Sequence, residues 1–275
     1  MIIAIDGPGS AGKSTVARML AGDLGFLYID TGAMYRAVAL AVIRRGIGTD
    51  DEGAVAAALD QIAVSIDHDP ATGEQIVYLG GEDVSALIRS PEMSIGASDV
   101  SRIPAVRLRL VDLQRKIAEG RDVILDGRDI GTFVFPNAEK KFFLTASAET
   151  RAERRWLELR AKGEDVSYDE CLRDLNYRDH NDSARAFAPL AMAEDALCVK
   201  TDGMTAREAA DLIRSHILDG GGGHLHNDCV VAADDAGGEH LHNDCGVAAD
   251  DGDSGYYRNN SGVAADDGGA GRNPL

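Results

Sequence analysis

The residues best equipped for chemistry lie at the start of the chain, in Asp6-Gly7-Pro8-Gly9-Ser10-Ala11-Gly12-Lys13-Ser14-Thr15. The spacing Gly7-x-x-x-x-Gly12-Lys13-Ser14 is that of a P-loop. Glycines let the backbone curl until its N–H groups converge on phosphate oxygens, and a helix N-terminus adds positive partial charge at the same point. Lys13 is placed to reach the outer phosphates of a nucleotide, and the Ser14 hydroxyl to coordinate Mg²⁺. The flanks supply the required context. Ile2, Ile3 and Ile5 read as a buried strand before the loop, and a helical pattern opens at Lys13 and runs to about Leu24. Gly7 to Thr15 are therefore the expected ATP-binding residues.

Further candidates stand at the ends of other apolar runs. Phe26–Ile29 reads as a second strand, ending in Asp30-Thr31-Gly32 before a helix that carries Arg36 in its first turns. A cation there is disfavoured by the helix dipole and is better explained by an anion to hold. Val123–Leu125 reads as a buried strand ending in Asp126-Gly127-Arg128-Asp129. Asp126 would hold Mg²⁺ through water, with Arg128 and Asp129 facing the crevice at the strand's carboxyl end. Arg151, Arg155 and Lys162 share one face of a helix, as do Arg178, Asp182 and Arg185 of a later one. No Asn-Lys-x-Asp base-reading motif of a GTPase occurs. Many arginines around one phosphate site suit phosphoryl transfer to a small acceptor, where catalysis is mostly positioning and charge neutralisation. An acceptor phosphate is already ionised at neutral pH, in keeping with the lack of His or Cys in these motifs.

The elements that must position these groups alternate strand and helix, which predicts an α/β fold of three layers around a central parallel sheet. Thr49-x-x-Glu52 predicts a capping box for a short helix. Ile62–Ile66 and Gln75–Leu79 alternate around a turn containing His68, expected to be exposed, so Ile62–Arg89 reads as an inserted antiparallel hairpin. Two helices follow, each opening on proline (Pro91, Pro104). In the second, Val106, Leu110, Leu113 and Ile117 form the apolar stripe, with Arg107, Arg109, Arg115 and Lys116 off it. Ser167-x-x-Glu170 and Thr205-x-x-Glu208 predict two more capped helices, and Leu197–Val199 a last strand.

The chain has 275 residues and a net charge of −18. An acidic body argues against nucleic acid as a partner. There is no apolar run long enough to span a membrane and no basic, apolar leader, so a cytoplasmic protein is expected. Cys171 and Cys198 lie in apolar contexts and read as small core residues. Beyond Gly220 the composition changes. Residues 220–275 contain 13 of the 31 glycines, ten acidic residues and two basic ones, with a 16-residue repeat in which His224–Cys229 recurs as His240–Cys245. Two readings meet here: soft metal ligands at His224, His226, Cys229, His240, His242 and Cys245, or a disordered acidic tail with too little apolar surface to fold. Composition favours the second.

Four motifs in order resemble the bacterial cytidylate kinase family: Asp6–Thr15, Asp30-Thr31-Gly32-Ala33-Met34-Tyr35-Arg36, Asp126-Gly127-Arg128-Asp129-Ile130-Gly131-Thr132, and Arg178–Leu190. The resemblance covers about Met1–Leu218 and leaves out the tail. It implies transfer of the terminal phosphate of ATP to CMP or dCMP with Mg²⁺, by a monomer with no nucleic acid or membrane partner. It implies a domain over 1–219 with an acceptor-nucleotide insertion at about 62–100 and a lid at about 151–168. Thr31 and Arg36 match acceptor contacts, Ser98, Arg107 and Asp129 match cytosine-reading positions, and Arg128 matches a phosphate-binding arginine. Arg178, Asp182 and Arg185 match the group that handles sugar and phosphate, with Lys13, Arg128, Arg178 and Arg185 the expected catalytic set and Arg151 and Arg155 the lid cations. Some relatives carry more arginine where this chain has His180, Asn181, Ser183 and Ala184. Kinases of another small acceptor (UMP or a shikimate-like acid) and a nucleotide-binding regulator acting through its tail are the alternatives.

Overall fold

A computed structural model describes residues 1–218, 229–230 and 241–242. Five strands form the parallel body of the main sheet: β1 (Ile2–Asp6), β2 (Leu27–Asp30), β6 (Val123–Asp126), β7 (Lys140–Thr145) and β8 (Leu197–Lys200). Their order is β2-β6-β1-β7-β8, so β1 lies at the centre and the carboxyl ends of all five face the same way. Side chains alternate across the sheet and sort the core into two layers. Ala4, Val123 and Leu125 pack under α2 (Thr31–Ile43) and α5 (Pro104–Ala118). Ile3, Ile5, Ile124 and Val199 pack on the other face under α1 (Lys13–Leu24) and α8 (Ala206–Leu218). Burial on both faces explains why these strands are built around short continuous apolar runs rather than alternating ones.

The inserted part is a three-stranded antiparallel sheet, β3 (Val64–His68), β4 (Gln75–Leu79) and β5 (Glu82–Asp83). Val77, Val84 and Ile88 bury against Ala33 and Ala37 of α2. His68 ends β3 rather than sitting in the turn, and its Nε2 lies 2.9 Å from the Tyr28 carbonyl oxygen. The short helix α3 (Glu52–Ala58) is capped by Asp51, whose side chain accepts from the Ala54 N–H, and not by Thr49. The other two expected capping boxes form at Ser167–Glu170 and Thr205–Glu208.

Helices α4 (Pro91–Val100), α6 (Ala148–Ala161) and α7 (Tyr168–Ser183) complete the body. Two short strands come from the segment expected to lack structure. β9 (Cys229–Val230) pairs parallel with β8 and is buried, and β10 (Leu241–His242) pairs antiparallel with β9. Cys229 is bonded to Cys198 in a disulfide, which removes both from the roles foreseen for them as metal ligand and plain core residue. Cys171 is buried and carries a free thiol. His224, His226, His240 and Cys245 lie outside the described residues, as does the side chain of His242. Among the described residues no helix is long and apolar enough to cross a membrane.

Candidate active site

The loop between β1 and α1 is built by its backbone. Gly7 (φ 142°) and Gly12 (φ 92°) take angles that side chains disfavour, and a Cβ at Gly7 would fall 1.9 Å from the Leu144 carbonyl oxygen. Ser10 also has a positive φ, 59°, a strain that the surrounding loop must hold. The loop wraps the buried Lys13, whose Nζ donates to the Pro8 carbonyl at 2.6 Å. Burial and then the nearby Arg128 hold the Lys13 ammonium well below the usual lysine range.

Asp126, at the end of β6, faces this loop. Its carboxylate accepts from Ser14 Oγ at 2.7 Å and from the Tyr28 hydroxyl at 2.9 Å, and its carbonyl accepts from Thr31 Oγ1 at 2.7 Å. Burial, followed by the neighbouring Asp30, raises its pKa. A hydroxyl and a carboxylate in hydrogen-bond contact at the mouth of a phosphate loop are hard oxygen donors, and they fit a Mg²⁺ ion completed by water and phosphate oxygens. Asp6, at the end of β1, accepts from the backbone N–H groups of Ile130 and Gly131 at 2.8 and 2.7 Å. It thereby pins the turn after β6, and burial pushes its pKa up to about 7.

The cationic side chains come from several elements. Arg128 Nε donates to Asp182 at 2.8 Å, and Arg185 Nε to the Asp182 carbonyl at 3.0 Å. Burial works against the Asp182 charge, yet Arg128, Arg185 and Arg178 together hold its carboxyl below the usual range. Burial and then the facing Arg128 bring Arg178 down to about 10. Arg128 is held by Asp182, whereas Arg178 makes no ion pair among the described residues, and a cation left facing another cation is poised for phosphate. Arg36 pairs with Asp30 at 2.9 Å, and Arg89 approaches the same carboxylate at 3.6 Å.

A deeper cluster sits beneath. Arg107, off the apolar stripe of α5, is nonetheless almost wholly buried at 1% exposure. It pairs with Asp129, donates to the Ser101 carbonyl, and lies over the Tyr35 ring with 5.6 Å to its centroid. The buried Ser98 Oγ has no hydrogen-bond partner among the described residues, nor have Arg107 Nε and Arg185 Nη2. Buried polar atoms are rarely left unmatched, so these point to a ligand with complementary groups.

One cavity of about 540 Å³ runs from the phosphate loop to this cluster, and Lys13, Ser14, Thr31, Arg36, Ser98, Arg107, Asp126, Arg128, Asp129, Arg155, Arg178, Asp182 and Arg185 line it. Arg151 does not. Its donors go to the carbonyls of Ala146 and Gly9 and to Asp179, tying α6 and α7 to the loop. Arg154, one turn along α6, lines the cavity beside Arg155. Asp6, Tyr28, Tyr35, Ser101 and Arg154 were not singled out from sequence. For Asp6, Tyr28 and Tyr35 the cue is present, since each falls inside a motif or strand read from the sequence, and Arg154 is one of the cations of its helix, off the face of Arg151 and Arg155; for Ser101 no cue exists beyond proximity to Ser98.

A family model described as cytidylate kinase matches residues 3–218. The chain is 51% identical over 206 residues to the cytidylate kinase of Caldicellulosiruptor bescii, covering 75% of this chain and 90% of that one. It is 51% identical over 211 residues to that of Caldanaerobacter subterraneus, covering 77% and 92%. With the cytidylate kinase of Mycobacterium leprae it shares 49% over 220 residues, covering 80% and 94%. A family match over nearly all the described residues, together with relatives about half identical along most of their own length, leaves one conclusion: this chain belongs to the cytidylate kinase family.

Proposed function

We propose that the protein transfers the terminal phosphate of ATP to CMP or dCMP, giving ADP and CDP or dCDP. The observation that carries this reading is the single cavity joining a phosphate loop to a buried Arg–Asp pair with an unpartnered serine hydroxyl beside it. Cytosine offers an exocyclic amine as donor and two acceptors on one edge. Asp129 takes the amine, while Arg107 and Ser98 donate to the ring nitrogen and the carbonyl. Uracil reverses the amine to a carbonyl and would set oxygen against the Asp129 carboxylate.

At the other end, the Gly7–Thr15 backbone and Lys13 cradle the ATP phosphates. Ser14 and, through water, Asp126 would hold Mg²⁺, which neutralises phosphate charge when bound. Thr31 and Arg36 bind the acceptor phosphate, and Asp182 takes the ribose. Arg128, Arg178 and Arg185 steady the transferring group, with Arg155 and Arg154 supplied from the lid at about 151–168. An oxygen of the acceptor phosphate attacks the γ-phosphorus, the bond to the β–γ bridging oxygen breaks, and ADP leaves. No proton need be removed, because the attacking oxygen is already anionic. Closing the lid over both nucleotides excludes water as a competing acceptor. The working unit in this reading is a monomer, since the residues proposed for both sites line one cavity of one chain.

The test is a coupled ADP-release assay with ATP and Mg²⁺ and with CMP, dCMP, UMP, AMP and shikimate offered in turn. Turnover with CMP and dCMP at least tenfold above the rest is expected. Equal turnover with UMP would refute the base-reading roles, and no turnover with any acceptor would refute the proposal.

A further inference from the structure

Asp99 lies outside the cavity, directly after Ser98 on α4. Its side chain is buried at 8% exposure, and no ion pair to it forms among the described residues. Instead it collects neutral donors from two distant elements. Thr49 Oγ1, in the loop before α3, donates at 2.7 Å; the Tyr177 hydroxyl and Asn181 Nδ2, both on α7, donate at 2.8 and 3.4 Å. Thr49 is the residue whose local sequence suits it to cap α3, and its hydroxyl goes to Asp99 instead. A long-range contact overriding a local preference is expected where function demands it. The packing is close as well: a Cβ at Gly96 on α4 would lie 3.0 Å from Ala39 Cβ and 3.1 Å from Thr49 Cγ2.

The sequence positions give this cluster its meaning. Tyr177 and Asn181, four apart, share one face of α7. The next row round the helix holds Arg178 and Asp182, which line the cavity. On α4 the same offset separates Asp99 from the cavity-lining Ser98. We infer that Asp99, with Thr49, Tyr177 and Asn181, is a latch that sets the rotation of α7 against α4, so that Ser98 on one side and Asp182 on the other meet the acceptor nucleotide together. Asp99 is a positioning residue: it touches no reacting atom. Its effect falls mainly on acceptor binding, because the phosphate loop takes its shape from its own glycine angles and none of the four latch residues bonds to it. This rests on the acceptor roles proposed above.

The experiment compares the full chain with Asp99→Ala, Tyr177→Phe and the double variant, by steady-state kinetics and by backbone amide exchange of the nucleotide-free protein. Asp99→Ala is expected to raise KM for CMP about tenfold and Tyr177→Phe about threefold, as for loss of a hydrogen bond to a charged group. KM for ATP should stay within twofold, and the double variant should match Asp99→Ala because both act through one cluster. Amides of 177–183 should exchange at least tenfold faster in Asp99→Ala. Unchanged KM for CMP, a parallel rise for ATP, or additive effects would overturn the latch. Should Asp99→Ala fail to fold, Tyr177→Phe, which removes one hydroxyl from a side chain 45% exposed, carries the test. If the parent chain makes no CDP, the proposed function has failed and the exchange arm alone decides the latch, with unchanged exchange refuting it.

Discussion

The two ends of the cavity are made of different material. The phosphate loop is main chain, shaped by positive φ angles at Gly7, Ser10 and Gly12 and wedged against the Leu144 carbonyl. The far end is side chain: Tyr35 and Arg36 from α2, Ser98 from α4, Arg107 from α5, Arg128 and Asp129 from the turn after β6, and Asp182 from α7. Phosphates are alike in every nucleotide, and a backbone cradle coded within one short stretch is enough for them. A base must be told from its neighbours, which takes side chains of chosen donors and acceptors. Those side chains arrive from elements far apart in sequence, so the acceptor end depends on how the elements dock.

The largest effect should come from the one side chain inside the backbone cradle that carries charge. Lys13→Ala is expected to lower kcat about a thousandfold, the scale of losing a positioned charge at a developing anion, with little change in circular dichroism. Turnover within tenfold of the parent would break the assignment of the loop. Next come the glycines. Gly7→Ala drives a Cβ into backbone and should cost roughly 3 kcal/mol or more of stability, read as a lower melting temperature. Gly12→Ala meets nothing within 4 Å and carries only a strained φ, so it should cost about 1–2 kcal/mol. Equal losses would mean that the close approach at Leu144 is not what the loop requires.

The same division explains what could be seen from sequence. The loop, the strand-end residues Asp30 and Asp126, and the alternation that builds the sheet are local patterns, and they appear where expected. Periodicity places Arg107 off the apolar stripe of Val106 and Leu110 and says nothing of its burial; only the resemblance marks it as a base-reading position. The carboxylate of Asp129, two elements later, with the Ser101 carbonyl and the Tyr35 ring, makes its burial tolerable. Arg151 illustrates the converse: spacing groups it with Arg155, while Gly9 and Asp179, remote in sequence, and the nearby Ala146 carbonyl claim its donors. Thr49 was expected to cap α3 and bonds Asp99 instead. Each departure involves a polar side chain whose partner is distant, which periodicity cannot report.

Ser98 sharpens the comparison at the acceptor end. Its hydroxyl is buried and unpartnered, so removing it should not destabilise the free protein and can stabilise it slightly. Ser98→Ala is therefore expected to leave the melting temperature unchanged or higher, while KM for CMP rises about fivefold, the worth of roughly 1 kcal/mol, and KM for ATP stays put. A lower melting temperature would show that the hydroxyl serves the fold, and an unchanged KM for CMP that it does not meet the base.

The smallest effect belongs to the sheet edge, where β9 joins β8 and Cys229 is bonded to Cys198. Cys198 lies three residues before Thr201, whose hydroxyl donates to the Ala11 carbonyl in the phosphate loop and accepts from Arg154. Any influence of residues 220–275 on catalysis that runs through this edge would thus enter at the backbone-built end of the cavity, by way of Thr201. That end is the one least open to disturbance, since its geometry comes from glycine angles and from β1, which is held by strands on both sides. Cys229→Ser and a chain ending at residue 219 should both keep kcat and KM for either substrate within twofold of the parent. What should change is the edge: without β9, β8 presents unpaired N–H and C=O groups that invite strand addition, so the shortened chain should associate more readily in sedimentation velocity. A tenfold rise in KM for ATP in either variant would show that the phosphate loop depends on the sheet edge and that the cradle is less self-contained than its glycines suggest. A rise confined to CMP would instead make the edge part of the side-chain-built end, and the division drawn above would fail there.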